Sequence, residues 1–105
     1  MTVVVTRDVE LRYRGFLASV MLEVAPGTYV SPFMNSGVRG RVWRVLEEWH
    51  NELGRGSISM ICADRTKPSG ILLRQLGTPP YDICDLDGVW LARRDLKETH
   101  TAAIR

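Results

Sequence analysis

The stretch GVRGRVWRVLEEWHNEL, residues 37–53, constrains the fold more than any other part of the chain. Val38, Val42, Val45, Leu46, Trp49 and Leu53 recur at helical intervals and form one apolar stripe. Ser36 is placed to cap the N-terminus of this helix and Gly54 to end it. An amphipathic helix draws most of its stability from burying its stripe, so the rest of the chain must supply a second apolar layer. Short strands supply it. TVVVT (2–6) is a β-branched, almost continuously apolar run, of the kind buried on both faces of a sheet. GTYVS (27–31), SISMICA (57–63), ILLRQLG (71–77) and VWLA (89–92) are further strand candidates. SISMICA and ILLRQLG read as a hairpin around the polar turn DRTKPSG, TPPYDICDLDG as a loop, and KETHTAAIR as a polar tail.

ELRYRGFLASVMLEV (10–24) reads as an earlier helix, with Leu11, Leu17, Val20, Met21 and Val24 at helical spacing and Pro26 and Gly27 as its stop. Arg12 and Arg14 fall in its first turn, where unpaired N–H groups disfavour each cation by up to about 1 kcal/mol. Gly15 costs roughly 1 kcal/mol more relative to Ala. A helix N-terminus carrying two guanidinium groups is an electropositive cluster suited to an anion. Gly15 would then let a backbone come close, or let the helix pack tightly on a neighbour. The plainer reading is that both arginines solvate an exposed turn and pair with Asp8 or Glu10.

Two helices interleaved with short strands in 105 residues make one domain, an α+β sandwich with both helices on one sheet face. The expected arrangement is a ferredoxin-like βαββαβ sandwich with an additional C-terminal strand, spanning residues 1–95, followed by a polar tail over 96–105. ILLRQLG is apolar on both faces, which is unusual for an exposed edge, and predicts a homodimer in which 89–92 pairs with the other protomer. The net charge of +2 is shared evenly by the two halves, so the molecule is no polycation and any nucleic-acid surface must come from local clustering. No apolar run reaches membrane-spanning length and the N-terminus lacks signal-peptide character, which predicts a cytoplasmic protein with no membrane partner. Cys62 and Cys84 match no metal spacing and read as reduced thiols, one of them in the core.

The ordered motifs at 3–6, 14–17, 22–31, 38–43 and 85–88 resemble the CRISPR-associated adaptation protein family Cas-two in its type I-E form. LEVAPGTYVS followed by a tryptophan-bearing helix is the specific part of that resemblance, which runs from about residue 2 to about residue 92. It implies a ferredoxin-like homodimer that bridges two dimers of the CRISPR integrase, the larger adaptation protein. The assembly captures a short foreign DNA duplex and inserts it into a CRISPR array. It also implies that Arg12 and Arg14 hold duplex phosphates, that Arg39 sits at a matching helix position, and that the C-terminal strand docks on the integrase. An arginine pair carried by some type I-E proteins before the last strand is replaced here by Pro80 and Tyr81.

Many members of the wider family place an acidic residue at the end of the first strand, where two protomers could share a divalent cation such as Mg for phosphodiester hydrolysis. In this chain Arg7 stands at that position and Asp8, the candidate metal ligand, follows one residue later. A one-residue shift along a strand turns a side chain to the other face. Asp64, ending another strand, reads as a turn former. Neither His50 nor His100 has a partner at catalytic spacing, and His50 is placed to stabilise its helix end. Arg41 and Arg44 read as a solvated helix face, with Arg44 paired to Glu48. The leading expectation is a non-catalytic, duplex-binding scaffold that requires no cofactor. The alternatives are a metal-dependent endonuclease acting on RNA or DNA, and a small ferredoxin-like regulatory module that binds no nucleic acid.

Overall fold

The structure, a computed structural model, describes residues 1–77 and 82–93. β1 (Thr2–Arg7) forms the middle of a five-stranded antiparallel sheet. α1 (Leu11–Val20) returns the chain to a hairpin of β2 (Leu22–Ala25) and β3 (Thr28–Ser31). α2 (Ser36–Leu53) leads to a second hairpin, β4 (Ser57–Ala63) and β5 (Ile71–Gly77). The strand order β2-β3-β1-β4-β5 contains the ferredoxin-like order, with β5 added outside β4. A separate hairpin follows, β6 (Asp82–Leu86) with β7 (Val89–Arg93). Its tip approaches the β4–β5 turn at Pro68, which lies 3.3 Å from where a Cβ on Gly88 would stand.

The strand register explains the core. Glu23, Tyr29, Val4, Met60 and Arg74 form one row across the sheet, and Tyr29, Val4 and Met60 in it are fully buried. Tyr13 and Leu17 of α1 and Val42, Trp43 and Leu46 of α2 pack on this face. The neighbouring row of Leu22, Val30, Val3, Ile61 and Leu73 points the other way, because side chains alternate along each strand. Both helices lie on one side, as expected. The run TVVVT is therefore buried on one face only, and Val5 on the other face is exposed.

Three sequence expectations need correction. The first helix stops at Val20, and Met21 is extended at φ −140°, so residues 22–25 form β2 instead of a last helical turn. The buried stripe of α1 is accordingly Tyr13 and Leu17, while Leu11 is 78% exposed. α2 is capped by Asn35, whose Oδ1 accepts from the Val38 N–H at 2.9 Å; Ser36 is the first helical residue. Gly54 ends it as expected, with φ +63° and its N–H on the His50 carbonyl. Part of the TPPYDICDLDG stretch is the strand β6, and β7 pairs with it inside the chain. β5 and β7 are strands as expected, and β6 is the one added strand that was not. Both cysteines are free, Cys62 in the core. Among the described residues no helix is long and apolar enough to cross a membrane. Pro80, Tyr81, His100 and the 96–105 tail lie outside the described residues.

Candidate nucleic-acid interface

The start of α1 keeps the character that the sequence suggested. Glu10 occupies the N-cap position without a side-chain cap, and the first turn holds no acid. Arg12 and Arg14 project from this turn with side chains about half exposed, at 48% and 45%. Each is held by a group from another element. The Arg12 guanidinium carbon lies 4.2 Å from the centroid of the Trp49 ring, a cation–π stack, and its Nη1 is 4.0 Å from Glu52 Oε2. Trp49 is itself wedged between the edges of Tyr13 and Phe16, with ring centroids at 5.5 and 5.3 Å. Arg12 therefore rests on a fixed aromatic platform.

Arg14 donates through Nη2 to Glu23 Oε2 at 3.5 Å. That carboxylate also accepts the Gly27 N–H at 3.2 Å, beside the buried Tyr29 hydroxyl, which has no fully formed hydrogen bond. The Gly27 N–H, then the Tyr29 hydroxyl, then Arg14 hold Glu23 below the ordinary carboxylate range. Burial raises Tyr29 above the usual phenol range, and burial likewise raises Tyr13.

Asp8 and Glu10 are not the partners of these arginines. Arg55, just past α2, takes both, at 3.2 Å from Asp8 and 3.7 Å from Glu10. The end of the molecule that holds Arg12 and Arg14 is thus no unopposed positive cluster. Asp8, Glu10, Glu23 and Glu52 stand against Arg12, Arg14 and Arg55. Sequence reasoning missed Glu23, Glu52, Trp49 and Arg55, because the fold alone brings them together; no spacing in the chain signals it. Gly15 also departs from expectation: a Cβ there would meet nothing within 4 Å, so no neighbour in the chain requires glycine.

Arg39 lies elsewhere. It is in the first turn of α2, thirteen residues before Glu52, hence roughly 20 Å from the Arg12 end by helical rise. Asp64, at the adjacent β4–β5 turn, accepts from the Thr66 hydroxyl at 2.6 Å and the Thr66 N–H at 2.9 Å, which with the Lys67 and Arg39 charges lowers it. Asp64 is indeed a turn former. The three candidate arginines therefore occupy two poles of the helical layer. Among the described residues Arg44 makes no ion pair with Glu48; the four ion pairs present involve other residues.

Asp8 follows β1 with φ +56° and lines an open cleft of about 300 Å³ with Arg7, Gly54, Gly56, Ser57 and Gly77. The walls there are backbone in contact, since a Cβ on Gly56 would fall 2.4 Å from the Asp8 carbonyl oxygen. His50 packs behind Gly77 with a buried Nε2 that has no hydrogen-bond partner. Among the described residues no three His, Cys, Asp or Glu side chains come together as a metal-ligand group. Within one chain the Asp8 carboxylate is bonded to Arg55, and Arg7 lines the same cleft.

A ferredoxin-like sandwich with an arginine pair at one end of its helical layer defines a class of small α+β proteins, not a function. The family comparison is more specific. Residues 1–91 match the family described as CRISPR-associated protein (Cas_Cas2CT1978), and the chain belongs to that family. No curated protein matches the chain.

Proposed function

We propose that this protein is a non-catalytic scaffold of CRISPR adaptation, of the type I-E form, that binds a foreign DNA duplex. It does so as a homodimer that bridges integrase dimers during spacer acquisition. Family membership supports the CRISPR role. The observation that carries the duplex-binding reading is that Arg12 and Arg14 both stand in the first turn of a helix with no side-chain N-cap, half exposed, Arg12 held over Trp49 of α2 and Arg14 beside Glu23 of β2. Two cations flanking one helix N-terminus suit phosphates of a duplex backbone, with affinity arising from counterion release regardless of base sequence. Arg39, at the other pole, would extend the footprint along the helical layer. The homodimer is supported by the apolar row Leu22, Val30, Val3, Ile61 and Leu73, on a face that neither helix covers.

The deciding experiment replaces Arg12 and Arg14 by Ala and measures duplex binding against salt. Two contacts per protomer make about four per dimer, so the slope of log K against log salt becomes shallower by up to roughly 3.6. Affinity falls about equally for unrelated duplexes. Unchanged binding would remove the reading.

The endonuclease alternative is favoured by one observation, the position of Asp8 in an open cleft at the end of β1. Asp8→Asn separates the two. On the scaffold reading spacer acquisition stays near wild type. A Mg-dependent cleavage activity lost in that variant, together with acquisition, would establish the enzyme instead.

A further inference from the structure

Each arginine at the start of α1 already faces a carboxylate, Arg14 bonded to Glu23 at 3.5 Å and Arg12 at ion-pair distance, 4.0 Å, from Glu52. We infer that Glu23 and Glu52 set the strength of duplex binding, by occupying on Arg14 and Arg12 the places that phosphate oxygens would take. This rests on the duplex-binding reading above and assigns it two further residues.

A carboxylate oxygen and a phosphodiester oxygen present the same charge and the same acceptor to a guanidinium group. Exposed pairs of this kind are worth little, so they exchange with an incoming anion instead of locking the arginine away. The two acids then behave differently. Glu52, 69% exposed and 4.0 Å from Arg12, sits at the free end of α2 and can swing aside. Arg12 keeps its place when it does, because Trp49 supports the guanidinium from below. Glu23 cannot swing aside so easily, since the Gly27 N–H ties it down. When a phosphate draws Arg14 away, the Glu23 charge stays beside the new anion and repels it. The other two carboxylates at this end do not compete for these arginines, because Arg55 holds Asp8 and Glu10 together. A chain of net charge +2 with its phosphate-binding arginines counterbalanced in this way binds a bare duplex weakly, and only a complex adding further contacts retains it.

The test uses the full-length chain and two labelled duplexes of unrelated sequence, with affinity read by fluorescence anisotropy across a salt series. Glu23→Gln and Glu52→Gln keep the size of each side chain and an acceptor oxygen while removing the charge. The double variant is expected to bind both duplexes roughly tenfold tighter at low salt, with the gain shrinking as salt rises. Arg12→Ala/Arg14→Ala is measured alongside. If that variant is defective but the Gln variant binds no tighter than wild type, Glu23 and Glu52 are bystanders and only this inference falls. A gain confined to one duplex overturns it too, since a removed charge has no sequence preference. If the Ala variant binds normally, the duplex reading itself fails. Glu52→Gln alone, at an exposed helix end, carries the test should Glu23→Gln loosen the turn at Gly27.

Discussion

The two faces of the five-stranded sheet both carry apolar rows, yet among the described residues the helices cover only one. On the first, Tyr29, Val4 and Met60 meet Tyr13, Leu17 and Leu46 and are excluded from water. On the second, Val3, Val30, Ile61 and Leu73 are half-buried, Leu22 at the sheet edge is 68% exposed, and Val5 is open as well. Two helices are enough to cover one side of such a sheet and not both. A contiguous apolar face on a small protein is ordinarily an interaction surface. The helix-covered face thus measures what the chain buries fully, and the half-buried face is the one proposed to take a second copy.

The sharpest way to break this contrast is a matched pair of substitutions. Leu46→Ala, on the covered side, is expected to lower stability by about 2–5 kcal/mol in urea unfolding, through lost burial and a residual cavity. Leu73→Asp, half-buried on the face that neither helix covers, is expected to leave the monomer folded and to convert the dimer to monomer by light scattering. A wild-type chain that is already monomeric at micromolar concentration would end the dimer reading. Strong destabilisation by Leu73→Asp at every protein concentration would mean that this face is covered from within.

A smaller contrast comes from two glycines. Gly56 sits at φ +78° with the Asp8 carbonyl in the way of any Cβ, so Gly56→Ala is expected to cost about 1–3 kcal/mol. Gly15 is helical with open space around its Cβ position, so Gly15→Ala is expected to gain up to about 1 kcal/mol. Thermal unfolding of the two variants should shift in opposite directions. If Gly15→Ala is stabilising and yet weakens duplex capture, the glycine serves close approach of the ligand. If binding is untouched, it has no such role.

Much of this architecture was legible in the sequence, and the failures have physical causes. β4 and β5 lie at the bounds that their alternating and turn residues suggest, and α2 differs by one residue at its start. Residues 22–25 satisfied helical spacing as a continuation of α1, and only pairing with β3 makes them a strand. β6 was obscured by the Pro and Asp residues around it and is defined by β7. Arg12 and Arg14 stand out from the chain because they offend the helix dipole. Their partners do not stand out, since Glu52 and Trp49 look like ordinary members of a helix until the fold sets them against α1. The same contacts revise the energetics of removing the arginines. Relief of the dipole is offset by the lost Trp49 stack, each worth up to about 1 kcal/mol, so the double Ala variant is expected close to wild type in stability.

The smallest expected effect lies where the covered face reaches the surface. Glu23 belongs to the same row as Tyr29, Val4 and Met60, but at the sheet edge, where the Gly27 N–H and the Tyr29 hydroxyl lower its pKa below the ordinary 4.5. A carboxylate depressed in the folded state contributes stability that is fully present above its unfolded pKa and is lost as pH falls through the folded value. Stability should therefore be flat at neutral pH and decline on acidification from just above pH 4.5 downward. The decline should be slight, since the group is exposed and screened by salt. Asp64, lowered chiefly by the Thr66 hydroxyl, adds a similar component at the opposite pole. Glu23→Gln should flatten part of the acid limb in a series of thermal melts between pH 3 and pH 7, and Asp64→Asn another part. The two parts should add, because the sites share no partner and lie at opposite ends of the helical layer. An acid limb unchanged by Glu23→Gln would mean that its bond to Gly27 persists in the unfolded chain, and that the turn at Pro26 and Gly27 forms before the sheet does.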